Sequence, residues 1–195
     1  MTSVERPALQ DTPAEDYAHI QESSTHYCGA ILDIVRDDIE LDGQLLRREY
    51  MTHDDAVAVM PIREGAGGEE VLLIRQYRHP IRRIMWEIPA GLLDIEGEGA
   101  EAAARRELYE EADLVGGELT QLVQLYATPG CSTELYTIYA ARGCEQATEP
   151  FERTEEEAAI ERFWLPFDEV LRAVQSGALR SPTLVTAVLA YASME

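Results

Sequence analysis

Residues 100–112, AEAAARRELYEEA, are built from alanine, glutamate, arginine and leucine and predict a helix, because these side chains lose little rotamer freedom in helical backbone. Glu107 and Glu111 are four residues apart and Glu110 is three from Glu107, so three carboxylates project from one neighbourhood. Like charges at this spacing destabilise the helix unless a cation neutralises them. A glutamate-rich helix more commonly presents a solvated face, but the loop before this one argues otherwise. Gly91, Gly97 and Gly99 are interspersed with Asp94, Glu96 and Glu98, which puts a tight acidic turn directly before the helix start. Backbone amides and the positive dipole end favour a phosphate group there. Carboxylates for a hard cation and amides for phosphate oxygens then lie side by side.

The rest of the chain supplies strands and two more helices. Residues 56–62 (AVAVMPI) and 71–76 (VLLIRQ) read as buried strands joined by a flexible glycine-rich loop, and residues 86–89 continue strand chemistry up to a turn at Ala90-Gly91. Further strands are predicted at 119–128, 135–141 and 160–165. Helices are predicted at 167–176, stopped by Gly177, and at 182–192, with Ser181 as N-cap before Pro182. Interleaved strands and helices imply a layered α/β domain. Ahead of it, residues 31–36, 37–40 and 44–51 read as two or three antiparallel strands around an Asp42-Gly43 hairpin signal. The organisation expected is a polar tail at 1–22, a small sheet unit at 23–54 that pairs or packs to be stable, and a main domain at 55–195.

Charge narrows the partners. With 37 acidic against 16 basic residues the net charge is −21, which repels nucleic-acid backbones and anionic membranes. An anionic small substrate meets the same repulsion, so a phosphate pocket here needs local arginines or a divalent cation. Cys28, Cys131 and Cys144 have no CxxC or Cys/His spacing, which specifies neither a disulfide framework nor a zinc site. No apolar run approaches the roughly 18 residues of a membrane span, and the N-terminus lacks signal-peptide character. A soluble cytoplasmic protein is the expectation. His19, His26, His53 and His79 show no metal-ligand spacing, and His79-Pro80 reads as a turn.

The run from Gly91 to Glu98, seven further residues, and then Arg106-Glu107-Leu108-Tyr109-Glu110-Glu111-Ala112-Asp113-Leu114 resembles the Nudix box. It departs twice. Six residues rather than five separate Gly91 from Glu98, a loop insertion that is readily tolerated, and Asp113 stands where the box ends in glycine. Aspartate is among the few residue types that accept the left-handed conformation needed there. The surrounding QYRHPIRRIMWEIPAGLLD stretch, and Pro129 sixteen residues after Asp113, resemble the ADP-ribose pyrophosphatase branch.

That resemblance implies an α/β/α sandwich with a mixed sheet plus the small N-terminal antiparallel sheet unit, swapped between subunits of a homodimer. It implies Mg²⁺, with Mn²⁺ as a substitute, held by Glu107, Glu111, Glu110 and the Ala90 carbonyl. Glu98 is either a further ligand or a loop brace, and Arg106 ties loop to helix. Arg48, Arg78, Glu87 and Pro129 fall at substrate-binding positions, and the planar arginine fork suits a diphosphate. Trp86 reads as core packing. The implied reaction is hydrolysis of the diphosphate of ADP-ribose to AMP and ribose 5-phosphate. The alternatives are another nucleoside diphosphate sugar or NADH, or a non-catalytic nucleotide sensor. The proton acceptor is expected in the Glu155-Glu156-Glu157 run. By the same resemblance, counting back from Trp164-Leu165-Pro166, which is similar to the family's strand end, selects Glu157 first and Glu156 second.

Overall fold

A computed structural model describes residues 9–153 and 157–194, with the main chain alone at Glu157. Two compact units divide at residue 51. In the first, β1 (His19–Cys28), β2 (Leu32–Leu41) and β3 (Gln44–His53) form an antiparallel sheet in that order. The Asp42-Gly43 turn joins β2 to β3 with both residues at positive φ, 51° and 73°, as a two-residue hairpin demands. Strand β1 begins at His19, inside the stretch that reads as tail. Its side chains are nearly all exposed, so no apolar alternation marks it, and its pairing with β2 is what makes it a strand. Asp37 is buried and accepts the Tyr50 hydroxyl at 2.9 Å.

The second unit is built on a seven-stranded mixed sheet in the order β10-β5-β4-β9-β8, with β6 paired to β5 and β7 to β4. Its strands are β4 (Ala56–Gly65), β5 (Gly68–Arg78), β6 (Arg83–Glu87), β7 (Ala90–Leu92), β8 (Leu114–Tyr126), β9 (Leu135–Gln146) and β10 (Glu161–Pro166). The β4–β9 pair is parallel and the other pairs are antiparallel. The stretch 63–70 is not a flexible loop. Strands β4 and β5 run on until Gly65 faces Gly68, because Ala66-Gly67 closes a two-residue turn and Gly68 takes φ 118°.

The central strands are apolar on both sides, and alternation sorts their residues onto two faces. Ala58, Met60, Ile62, Val71, Leu73, Ile138 and Ala140 pack with α2 (Phe167–Gln175) and α3 (Pro182–Ala192). Val57, Val59, Leu72, Ile74, Tyr139 and Ala141 pack with α1 (Ala100–Ala112). The result is an α/β/α sandwich. Large side chains such as Leu108, Ile138 and Leu184 are almost wholly enclosed and contribute about 1.5–3 kcal/mol each. Helix α2 ends through Gly177 at φ 73°, with the Ala178 N–H returning to the Ala173 carbonyl. Ser181 holds the N-cap position of α3, but its hydroxyl pairs with Thr183 Oγ1 at 3.2 Å rather than with the helix backbone.

Trp86 packs on the α2/α3 face, edge-on to Phe163 at 5.2 Å, which agrees with a packing role. His79-Pro80 forms a single 3-10 turn. The three cysteines are free, and among the described residues no helix is long and apolar enough to cross a membrane.

Candidate active site

Helix α1 decides between a solvated glutamate face and a functional one. Its buried residues are Ala103, Ala104, Glu107, Leu108, Glu111 and Ala112, the i, i+4, i+8 repeat of one face. Glu107 and Glu111 are each 6% exposed and therefore lie on the sheet-facing side of the helix. Ala103 and Ala104 present no side chain beyond Cβ, so the helix sits close to the sheet and its carboxylates come within reach of strand β7.

Two contacts join them to β7. The Ala90 N–H donates to Glu111 Oε2 at 2.8 Å. A Cβ added at Gly91 would collide with the Glu107 carboxylate, so glycine is required here to leave room for that side chain. Strand β7 is itself registered on β4, Ala90 opposite Ala58, and the Asp55 carbonyl accepts the Leu93 N–H at 2.8 Å. The Asp55 side chain accepts the Leu135 N–H at 3.2 Å. An acid with no evident role in the sequence thus ties the β7 strand and the start of β9 to one point.

Arg106 sits among the acids. Its guanidinium donates to Glu98 at 3.0 Å, to Glu110 at 3.1 Å and to the Leu92 carbonyl at 3.0 Å, and it pairs closely with Glu107. The Glu98 bond, then the charges of Glu107 and Glu110, raise its pKa above the ordinary arginine value against the opposing effect of burial. Glu98 thus pairs with Arg106, as Glu107 and Glu110 do. Among the described residues no three His, Cys, Asp or Glu side chains are arranged to hold a metal ion; Glu98, Glu107 and Glu110 instead gather around the charge of Arg106.

Beside this group lies a second. Glu87, 8% exposed at the end of β6, receives the Arg78 fork at 3.0 and 2.7 Å and the Gln76 amide at 3.2 Å. The bonds to Glu87 raise the Arg78 pKa, with smaller contributions from the charges of Glu111 and Tyr136. Arg78, Glu87 and Glu111 therefore share one electrostatic neighbourhood. Tyr136, which the sequence did not single out, belongs to it: burial and then the adjacent Glu134 carboxylate push its phenol well above its usual range. Its neighbours in β9, Leu135, Thr137 and Ile138, carry no charge, so only the fold marks it.

Pro129 is exposed in the turn after β8. The loop that holds it is tied to His53, whose N–H donates to Thr133 Oγ1 at 3.2 Å. Arg48 lies on β3 of the N-terminal unit, exposed, with its guanidinium on the Arg47 carbonyl at 2.9 Å. Glu156 and the Glu157 side chain lie outside the described residues; the Glu157 main chain opens a 3-10 turn, Glu157–Ala159, just ahead of β10. Asp113 closes α1 in the left-handed conformation at φ 55° and ψ 33°, and its backbone matches the role the sequence allowed it.

An NUDIX domain family model matches residues 52–184. The chain is 36% identical over 169 residues to ADP-ribose pyrophosphatase of Mycobacterium tuberculosis, covering 86% of this chain and 80% of that one. It is 29% identical over 154 residues to GDP-mannose pyrophosphatase of Shigella flexneri, covering 76% and 80%. A solved structure described as an ADP compounds hydrolase superposes with a TM-score of 0.75 over 94% of this chain and 96% of its own, at 20% identity, which shows a shared fold. The chain belongs to the Nudix family and is a Nudix hydrolase.

Proposed function

We propose that this Nudix hydrolase cleaves the diphosphate of ADP-ribose to AMP and ribose 5-phosphate with Mg²⁺ as its cofactor, Mn²⁺ substituting. The observation that carries the reading is the burial of Glu107 and Glu111 beside β7, the Glu107 carboxylate filling the space a side chain at residue 91 would take and Glu111 bonded to the Ala90 N–H. Anionic oxygen donors buried in this way suit a hard divalent cation.

Glu107, Glu110, Glu111 and the Ala90 carbonyl would hold the ion, with Glu98, paired to Arg106, as either a further ligand or the loop brace. When bound, a divalent ion neutralises charge on phosphoryl oxygens and lowers the pKa of water beside it. Arg106 competes for the same carboxylates, which keeps their mutual repulsion small in the protein alone. Arg78 offers a planar fork to the diphosphate, and Glu87 sets its orientation through two bonds. The Arg48 assignment rests on the resemblance, as does that of Pro129. Glu157, or failing it Glu156, takes the proton from the attacking water. Two copies of the chain associate through the N-terminal unit.

A second specificity has an observation behind it, since the relatives include a GDP-mannose pyrophosphatase. The deciding experiment measures Mg²⁺-dependent phosphate release after phosphatase coupling with ADP-ribose, GDP-mannose, other sugar nucleotides, NADH and nucleoside triphosphates. The highest kcat/KM with ADP-ribose is expected. A higher value with another diphosphate moves the specificity within the family, and no turnover of any of them leaves the sensor reading.

A further inference from the structure

Asp113 replaces a residue that would close α1 at less cost. Glycine reaches a φ of 55° without the Cβ penalty, so the aspartate needs a reason beyond the helix end. Its side chain supplies one. It is 3% exposed and gathers three groups from the chain that leaves β9 and enters β10. The Phe151 N–H donates to Oδ1 at 2.8 Å. The Arg153 guanidinium forms an ion pair with Oδ1 at 2.9 Å, and Arg162, the second residue of β10, donates to Oδ2. The Asp113 carbonyl takes two more, the Ala147 N–H at 2.8 Å and the Gln146 amide at 3.0 Å. Tyr109, one turn back on α1, meets Phe151 edge-on at 5.5 Å. One residue at the end of α1 thus holds the chain both before and after the connection to β10.

We propose that Asp113 is a positioning residue for the hydrolytic reaction, fixing the flanks 151–153 and 160–162 against the end of the helix that carries Glu107, Glu110 and Glu111. The inference rests on the reading that the proton acceptor is Glu157 or Glu156, within that connection. A group that removes a proton must be placed to within a fraction of an ångström, and a support distant from the chemistry sets that placement. The proposed cation donors, Glu107, Glu110, Glu111 and the Ala90 carbonyl, lie outside the connection, so Asp113 acts on turnover and leaves metal affinity alone. A plain helix stop would leave turnover unchanged as well, and glycine would serve it at less cost.

The test uses the full chain with saturating Mg²⁺ and ADP-ribose, Mn²⁺ titration for metal affinity, and amide exchange across residues 147–162. Asp113→Asn keeps the left-handed preference and an acceptor but loses the charge; Asp113→Gly keeps the turn and loses every side-chain contact. Both should lower kcat by roughly 10- to 100-fold with KM within about threefold, leave Mn²⁺ affinity unchanged, and speed exchange at both flanks. Arg162→Gln reads the same link from the other partner and should follow in direction. Because the effect passes through the base, adding Asp113→Asn to whichever of Glu157→Gln or Glu156→Gln is inactive should cost little more. A wild-type kcat in both Asp113 variants, or a loss of kcat matched by a loss of Mn²⁺ affinity, overturns the inference whatever the glutamates do. Full activity of both glutamine variants instead defeats the base assignment.

Discussion

The Ala90 N–H and Glu111 Oε2 share a hydrogen bond of 2.8 Å, so the strand after Pro89 and the last turn of α1 are joined by the very carboxylate proposed to hold the metal. The two roles separate by substitution. Glu111→Gln keeps an oxygen for Ala90 and keeps helix propensity, yet loses the anionic ligand. Turnover should fall by about two orders of magnitude or more, with the melting temperature close to that of the parent chain. Glu111→Ala also strands the Ala90 N–H, which costs about 1–3 kcal/mol in a buried setting. Thermal denaturation and steady-state kinetics on the pair distinguish them; parental activity of Glu111→Gln in saturating Mg²⁺ removes the metal assignment.

Gly91→Ala tests the same site from the strand side. The new methyl occupies the space of the Glu107 carboxylate, and because Gly91 is paired to Val57 in the sheet the backbone has little room to retreat. Glu107 must give way. Mn²⁺ affinity measured by calorimetry should weaken by roughly 10- to 100-fold, the range seen when a ligand's orientation is disturbed, and activity should return in part at high metal concentration. Unchanged affinity would mean that Glu107 is not a ligand.

Arg78 and Glu87 form a fork-to-carboxylate pair with Arg78 45% and Glu87 10% side-chain exposure. Arg78→Lys retains the charge and loses the planar fork, so KM for ADP-ribose should rise by about tenfold with a smaller change in kcat. Arg78→Ala additionally leaves Glu87 with the Gln76 amide as its remaining hydrogen-bond donor among the described residues. Solvent screening of the exposed arginine limits the stability cost to about 1 kcal/mol. An unchanged KM in both variants would assign the pair to structure alone.

How far the sequence carried depends on whether the signal was local. The span of α1 follows from helix propensity, and the left-handed backbone of Asp113 follows from its residue type. The burial of Glu107 and Glu111 does not, since the same spacing suits a solvated helix; it comes from β7 and the small Ala103 and Ala104. Strand β1 was hidden because its faces carry no alternation, and 63–70 looked flexible because glycine marks tight turns and loose loops alike. The Asp113 partners, Phe151, Arg153 and Arg162, are 38, 40 and 49 residues away in the chain, beyond any local pattern.

The N-terminal unit carries a prediction of assembly. Its three ten-residue strands and the turn before β2 leave Ile20, Tyr27, Ile31 and Leu45 between 55% and 74% exposed, and a three-stranded sheet with such side chains in water is marginal by itself. Pairing two copies removes that surface and closes a two-fold assembly. Light scattering should give twice the 21.8 kDa of one chain, and Leu45→Glu should shift the population towards the smaller species. An active species at 21.8 kDa throughout would eliminate the homodimer.

The proton acceptor gives the last prediction. The main chain of Glu157 opens the turn Glu157–Ala159, and β10 follows at Glu161, while Glu156 is one residue further from the strand in sequence. An acidic run before a strand commonly means a solvated loop. A base that must reach the attacking water after substrate has bound is equally well carried on such a connection. Glu157→Gln should therefore lower kcat by about 10²- to 10⁴-fold, hold KM for ADP-ribose within a few-fold, and leave Mn²⁺ affinity intact, a combination that loss of a ligand cannot produce. Parental kinetics in Glu157→Gln together with an inactive Glu156→Gln moves the base by one residue. Parental kinetics in both removes it from this run, and the carboxylates of α1 then become the groups to test.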